Sequence, residues 1–511
     1  MKKYLIWIGA AVLVMALASP SMAQFKSWGH LEIESYWVGN KSLNKDLNDA
    51  NFQAVGMRYR FNLGYGDPKT VMAVLGFEAN SRGFGESPEG APGSHSTSGN
   101  PASKPIAGNA SYESGAKGWG VGAWGTDAIG LQVRHAYFDF TIPNTPLTMQ
   151  IGLQAQVIGG YLGRFFMLKD VPAFVLNGNF APHTISAFWW KGVKQNFYVD
   201  NDLDYYGLLY RMKQQMFNVE AWFVYGNDRR TVTDAWTYNA TTGGTTTPVT
   251  NAAYPTTTTT YTYDTVQTIT PRPYEQKPWW LGANVPITAG NWKFEPTFIY
   301  LGGKDRDAVA AGSGLSSRDY SAYLADIMVS YRLGPGLKFL GEGFYATGND
   351  GTKTGLGETQ NAWMSPGIYT GMGTENRNVF GQGWSVFYFW NTELSYYSAK
   401  QLDPSGHMFL RGNAEFNPFA WLNLNFNYVY IQNSANKYVG HITGATPPAA
   451  GQTADKTNIG QEINGIAKIA IYKDFQYRIG FGYFLPGDVY KTAAKDPDAA
   501  WSLLTNLIYV F

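Results

Sequence analysis

The sequence predicts an all-β fold, a transmembrane antiparallel β-barrel of about eighteen strands, within a range of about sixteen to twenty. Three observations predict it. Apolar and polar residues alternate with period two along most of the chain, short turns alternate with long polar connections, and the first residues have the layout of an export signal.

The export signal comes first. Lys2 and Lys3 precede an apolar run from Tyr4 to Ala18, and Ser21-Met22-Ala23 precedes Gln24. This is the charged region, apolar core and small-residue cleavage site of a secretory signal peptide, expected at residues 1–23. The apolar run is about 15 residues, short for a membrane anchor. The barrel is then expected at 24–511, where no further long apolar run predicts a transmembrane helix. There is no cysteine, and 39 Lys and Arg stand against 38 Asp and Glu. Loss of Lys2 and Lys3 with the leader turns that balance of +1 into about −1. No nucleic acid partner is expected, since that would call for a basic excess. Aromatic residues make up 16% and charged residues 15% of the chain. Against about 25% charged in an average domain, this suits aromatic girdles at a membrane interface.

The alternation is plainest in WLNLNFNYVY, residues 421–430. In a strand, Asn423, Asn425 and Asn427 point one way and Leu422, Leu424, Phe426, Tyr428 and Tyr430 the other. Val55, Met57, Tyr59, Phe61, Leu63 and Tyr65 likewise oppose Arg58, Arg60 and Asn62, and Leu31, Ile33 and Trp37 oppose His30, Glu32 and Glu34. Strands are expected near 27–38, 51–64, 69–81, 129–141, 147–156, 172–179, 183–191, 202–213, 216–226, 277–288, 291–302, 318–332, 336–347, 406–416, 420–432, 459–472, 475–485 and 500–511. The stretch 380–398 adds either a hairpin or part of a loop.

Short turns are expected at Gly66-Asp67-Pro68, Pro143–Pro146, Gln214-Gln215, Ala289-Gly290, Gly334-Pro335-Gly336, Asn417-Pro418 and Lys473-Asp474. Between them lie long polar connections at 82–128, 227–276, 348–405 and 433–458, with a threonine-rich tract at 241–262. Short periplasmic turns and long extracellular loops are the layout of an outer-membrane barrel. The last strand ends on Phe511, with Tyr509, Leu507 and Leu503 on its face. Such an ending resembles the signal by which outer-membrane barrels are recognised by their assembly machinery.

Several segments resemble the trimeric and alginate-export-type porins of Gram-negative outer membranes: Val133–Phe140 before the Pro-Asn-Thr-Pro turn, Gln150–Gln154, Phe484–Asp488 and Asp496-Pro497-Asp498. The resemblance implies an eighteen-stranded pore, a location in the outer-membrane lipid and a homotrimer, and it names no solute.

A barrel of this size leaves an aqueous channel, with a polar inner face and an apolar outer one. By alternation the inward bases are Arg58, Arg60, Arg134, Arg211, Arg332, Arg411, Lys468 and Arg478. The inward acids are Glu32, Glu34, Glu78, Glu220, Asp326, Glu342, Glu415 and Glu462. This balance predicts no strong ion preference. Arg58, Arg60, Arg411 and Arg478 are expected to share one wall, since strands near the two termini become neighbours on closure. The connection 157–170, VIGGYLGRFFMLKD, is apolar and aromatic, with Arg164, Lys169 and Asp170 among Tyr161, Phe165 and Phe166. Exposed, it would be an aggregation hazard. It is expected to fold into the barrel as a constriction, or else to cap the rim or pack in a subunit contact.

No enzyme is expected. Gly120-Val121-Gly122-Ala123-Trp124-Gly125 matches a dinucleotide-binding pattern only in letters, because it lies in a Gly- and Ser-rich loop. The histidines at 30, 95, 135, 183, 407 and 441 show no metal-ligand spacing, and no cofactor is expected. His135 falls on the apolar face of its strand, as an interfacial residue or a sign that the facing is reversed. The expected function is a water-filled channel for small hydrophilic solutes or ions. The alternatives are a barrel that sheathes a periplasmic or export partner, and a secreted soluble carbohydrate-binding protein.

Overall fold

The computed structural model describes residues 24–40, 52–67, 69–81, 130–159, 166–194, 202–229, 276–305, 318–348, 406–435, 457–491 and 496–511, with short pieces of the connections at 43, 83–84, 120–121, 231–232, 247–249, 258–260, 272–273, 359–360 and 385–386. The expected leader, most of the long loops and Arg164 lie outside the described residues, as does the side chain of Lys169.

Eighteen strands form one closed antiparallel sheet. They are β1 (Gln24–Gly39), β2 (Phe52–Asp67), β3 (Val71–Ser81), β4 (Gly130–Thr141), β5 (Leu147–Ile158), β6 (Met167–Phe180), β7 (His183–Lys194), β8 (Asp202–Lys213) and β9 (Asn218–Asp228). The second half comprises β10 (Gln276–Asn284, resuming at Ile287–Ala289), β11 (Trp292–Asp305), β12 (Arg318–Arg332), β13 (Leu337–Ala346), β14 (His407–Phe419), β15 (Leu422–Gln432), β16 (Asn458–Tyr472), β17 (Phe475–Pro486) and β18 (Ala500–Val510). Each expected strand is present within a few residues. Among the described residues 380–398 adds none. The turn expected at Asn417-Pro418 instead lies inside β14, whose pairing with β15 slips between Phe416 and Phe419.

The sheet closes between β1 and β18, in register from His30 opposite Val510 to Gly39 opposite Trp501. Gly29 and Phe511 exchange backbone hydrogen bonds of 2.9 and 3.1 Å. The Phe511 ring packs outside, with centroids 6.0 Å from Tyr59 and 6.2 Å from Phe61. Closure leaves no free edge at the seam, which lipid would otherwise leave unsatisfied.

Alternation assigns the two faces as expected. Leu208, Leu281, Phe298, Ile327, Leu410, Phe426 and Ile463 are outward and exposed, a continuous apolar belt. In 421–430 the outward residues are the leucines and aromatics, and the asparagines turn inward. Asn427 donates to Asn464 at 3.0 Å and accepts from Asn413 at 2.9 Å. These bonds satisfy amides that hydrocarbon would leave without partners.

The inner face departs from the expected polar lining in the half of the barrel nearest the long connections. There Trp190, Leu203, Ile299, Leu301, Ala322, Leu324, Val429, Ile431 and Phe484 point inward and are fully buried. Polar residues line the lumen nearer the short turns, and polar residues return at the long-connection ends with Asp228, Gln276, His407 and Asn433, so the apolar residues form a band between them.

Candidate functional site

The wall is interrupted at β5 and β6. Pairing of β4 with β5 stops at Ala136 opposite Leu153, and that of β6 with β7 stops at Ala173 opposite Trp190. The β5–β6 ladder continues past both points to Ile158 opposite Met167. The end of this hairpin therefore leaves the wall on both sides as a two-stranded tongue. Gly152 marks the departure: its φ is +129°, and a Cβ there would stand 2.2 Å from the carbonyl oxygen of Ala136. Only glycine tolerates both conditions.

The tongue's contacts place it in the lumen. The backbone N–H of Gly159 donates to Glu220 at 2.8 Å, and Arg211 donates to the carbonyl of Val157 at 3.0 Å. Arg211 and Glu220 lie opposite each other on β8 and β9 and are themselves joined at 2.7 Å. One ion pair thus satisfies both a donor and an acceptor of a strand end that has lost its ladder to β4. On the other arm, Phe166 is 1% exposed, with its ring 5.4 Å from Trp222 and 6.1 Å from Trp280. These indoles belong to an inward aromatic wall that continues through Tyr205, Trp190 and Phe188. Of this connection, the described apolar residues Ile158, Phe166 and Met167 are buried.

At the root of the tongue lies a charged cluster. The β3–β4 register slips between Gly76 and Phe77, which oppose His135 and Val133, so Arg134 is the extra residue of a bulge. The bulge turns Arg134 and His135 to the same side, and both point into the lumen. It also settles the facing of His135: the alternation changes phase there and is not reversed. Arg134 Nε is 2.5 Å from Asp170 Oδ2 and 3.5 Å from Glu78 Oε2. His135 Nε2 is 3.0 Å from Asp170 Oδ1, and its Nδ1 is 3.1 Å from Asn62 Oδ1. Glu78 also takes Arg60 at 2.6 Å and Arg58 at 3.6 Å.

The structure brings Arg58, Arg60, Arg134 and Asp170 together, but the expected four-arginine wall is divided. Arg411 pairs instead with Glu342 at 2.6 Å, both side chains almost fully buried. Arg478 lies opposite Lys468, whose strand neighbour Asn423 donates to Glu415 at 2.9 Å. The strands between β14 and β2 explain the separation. Glu32 accepts from Asn506 across the seam, and Glu34 faces Asn506 in register. Asp170 belongs to β6 and not to the connection.

A second segment reaches inward from the connection between β13 and β14. Ser385 Oγ and the backbone N–H of Val386 both donate to the fully buried Glu462, each at 2.7 Å. Glu462 lies about halfway round the ring from Arg211 and Glu220. Glu220, Glu462 and Phe166 were not singled out by the sequence as anchors, because a contact between distant strands has no local signature. Among the described residues no group of three or more His, Cys, Asp or Glu is placed to hold a metal.

Fold and site together define a membrane-spanning β-barrel with a tongue folded into its lumen. No protein-family model matches the sequence, and no curated protein matches it. Among solved structures the chain is similar to a BenF-like porin from Pseudomonas fluorescens Pf-5, at 9% identity and a TM-score of 0.48 over 95% of this chain and 98% of that one. It is also similar to Acinetobacter baumannii OccAB1, at 10% identity and 0.46 over 95% and 97%, and to Pseudomonas aeruginosa OccK2, at 10% and 0.45 over 95% and 98%.

Proposed function

We propose that the chain is a porin of the Gram-negative outer membrane, exported by the leader at 1–23, whose lumen passes small hydrophilic solutes or ions through a constriction built from 157–170. The observation that carries this reading is the tongue, docked between a charged cluster on β2–β4 and the Arg211–Glu220 pair, inside a barrel whose outer belt is apolar. A barrel of eighteen strands has room for a channel, and what passes is set by its narrowest ring of charges and shape. Arg58, Arg60 and Arg134 remain partly exposed to the lumen, with side-chain exposures of 34, 19 and 22%. They meet a passing solute beside carboxylates, which favours charge-balanced selection over a strong preference for one sign. No step in this reading is catalytic. Phe511, on the outer face at the seam, is the residue that the assembly machinery would read.

The test is single-channel recording of the detergent-solubilised protein in a planar bilayer, with reversal potential in a salt gradient. Stepwise conductance is expected, rising when residues 160–165 are replaced by two glycines. Steps arriving in threes would establish the homotrimer. Folded, heat-modifiable protein without conductance would overturn the reading in favour of a sheath for another protein.

A further inference from the structure

We propose that Asp170 is the positioning residue of the constriction, held by Arg134 and His135 in a clamp that fixes where the tongue sits in the lumen; this rests on the reading of the tongue as the constriction. Two departures from regular alternation meet at this point. On β6, Val171, Ala173 and Val175 point inward and Phe174 outward, so Asp170 falls on the outward phase. Its register partner Ala155 is of the same phase. Had β6 stayed in the wall, the carboxylate would have faced the membrane side. The bend of the hairpin carries that face round to look at β4 instead. On β4 the bulge supplies the complement, since without the extra residue Arg134 and His135 would point to opposite sides.

The clamp contributes most where the ladders contribute nothing. Beyond Leu153 and Ala173 the hairpin has, among the described residues, no strand partner on either flank. Its described polar ties are Arg211 and Glu220 on the arm near Gly159, and Arg134 and His135 at the root. The root tie fixes the angle at which the tongue leaves the wall. A charge-assisted pair with two donors on one carboxylate gives directional restraint that a single contact does not. Glu78 competes for Arg134 at 3.5 Å, so removal of Asp170 leaves Arg134 a second partner and the wall intact.

The experiment is single-channel recording of Asp170→Ala, Asp170→Asn, the tongue-shortened protein and the shortened protein carrying Asp170→Ala, each first shown to be folded by heat-modifiable mobility. Glu295→Gln, which removes an inward carboxylate paired with Lys293 at 2.6 Å and outside the clamp of Asp170, Arg134 and His135, is the control. Asp170→Ala is expected to replace one steady conductance level with several. Asp170→Asn, which keeps an acceptor, is expected to reduce that flicker. Glu295→Gln is expected to keep the parent level, and in the shortened protein Asp170→Ala is expected to change nothing further. A single parental level in Asp170→Ala would overturn the proposal, as would flicker that persists without the tongue or appears equally in Glu295→Gln. Unchanged conductance on shortening alone would show that the tongue is not the constriction, and would overturn both readings. A rise on shortening with no effect of Asp170→Ala would remove only the clamp.

Discussion

Phe166→Ala separates docking of the tongue from stability of the wall. The ring is 1% exposed between Trp222 and Trp280. Its truncation in a packed site costs about 3–5 kcal/mol, of which about 0.5–1.5 kcal/mol for each aromatic pair comes from ring geometry. Because no ladder joins the tongue to β4 or β7 beyond Leu153 and Ala173, the loss falls on a local opening and not on the whole sheet. At about 1.4 kcal/mol per decade, the undocked population rises by about a hundredfold to a few thousandfold. Single-channel recording at fixed voltage reads this as added time in a larger conductance level, with the gel mobility of the folded barrel unchanged. An unaltered conductance histogram together with a lowered thermal transition of the barrel would refute the reasoning, because Phe166 would then be supporting the wall.

Three further outcomes are expected. Phe426→Arg puts a charge on the lipid face and should cost about 2–4 kcal/mol if near mid-bilayer, whereas Asn425→Arg on the same strand faces the lumen and should be tolerated; denaturant titration of the folded band compares them. Glu342→Ala removes the Glu342 carboxylate from the buried Arg411 and should destabilise by about 3–5 kcal/mol, while replacing both by Leu and Met should come close to the parent; thermal melting decides. Gly152→Ala forces a left-handed φ of +129° on a residue with a Cβ and should cost at least about 1–2 kcal/mol, seen as a lower folded yield in refolding from urea.

The barrel was legible because its signals are local. Period-two alternation such as that around Asn423 to Asn427, and turns carrying Gly or Asn, report strand and connection one at a time; Asn144 and Gly290 do take left-handed φ values of 61° and 60°. The apolar composition of 157–170 was enough to demand a buried place for it. The place itself was not legible. Nothing around Gly152 distinguishes a glycine that turns a strand out of the wall from one that lines it. The bulge at Arg134 spoiled the alternation just where the root of the tongue lies, so His135 looked misplaced. The apolar inner layer at Trp190, Leu324 and Val429 resembled ordinary strand sequence, because alternation says that two faces exist and not what covers each. The four-arginine wall failed for a related reason: neighbouring strands were inferred from closure, but the carboxylate that Arg411 pairs with, Glu342, lies on β13.

The seam bears on the order in which the molecule is made. Ser35 and Thr505 meet at 3.0 Å although 470 positions separate them in the chain, and Gly29 meets Phe511, the final residue. The other neighbours in the ring are consecutive strands, and those joined by short turns can zip locally on a short timescale. This contact closes the longest span in the ring, although closure entropy grows only with the logarithm of length, so it exceeds that of a connection of about 50 residues by only about 2 kcal/mol. Until β1 and β18 meet, the partly built sheet carries two open edges that the cell must keep from pairing with anything else.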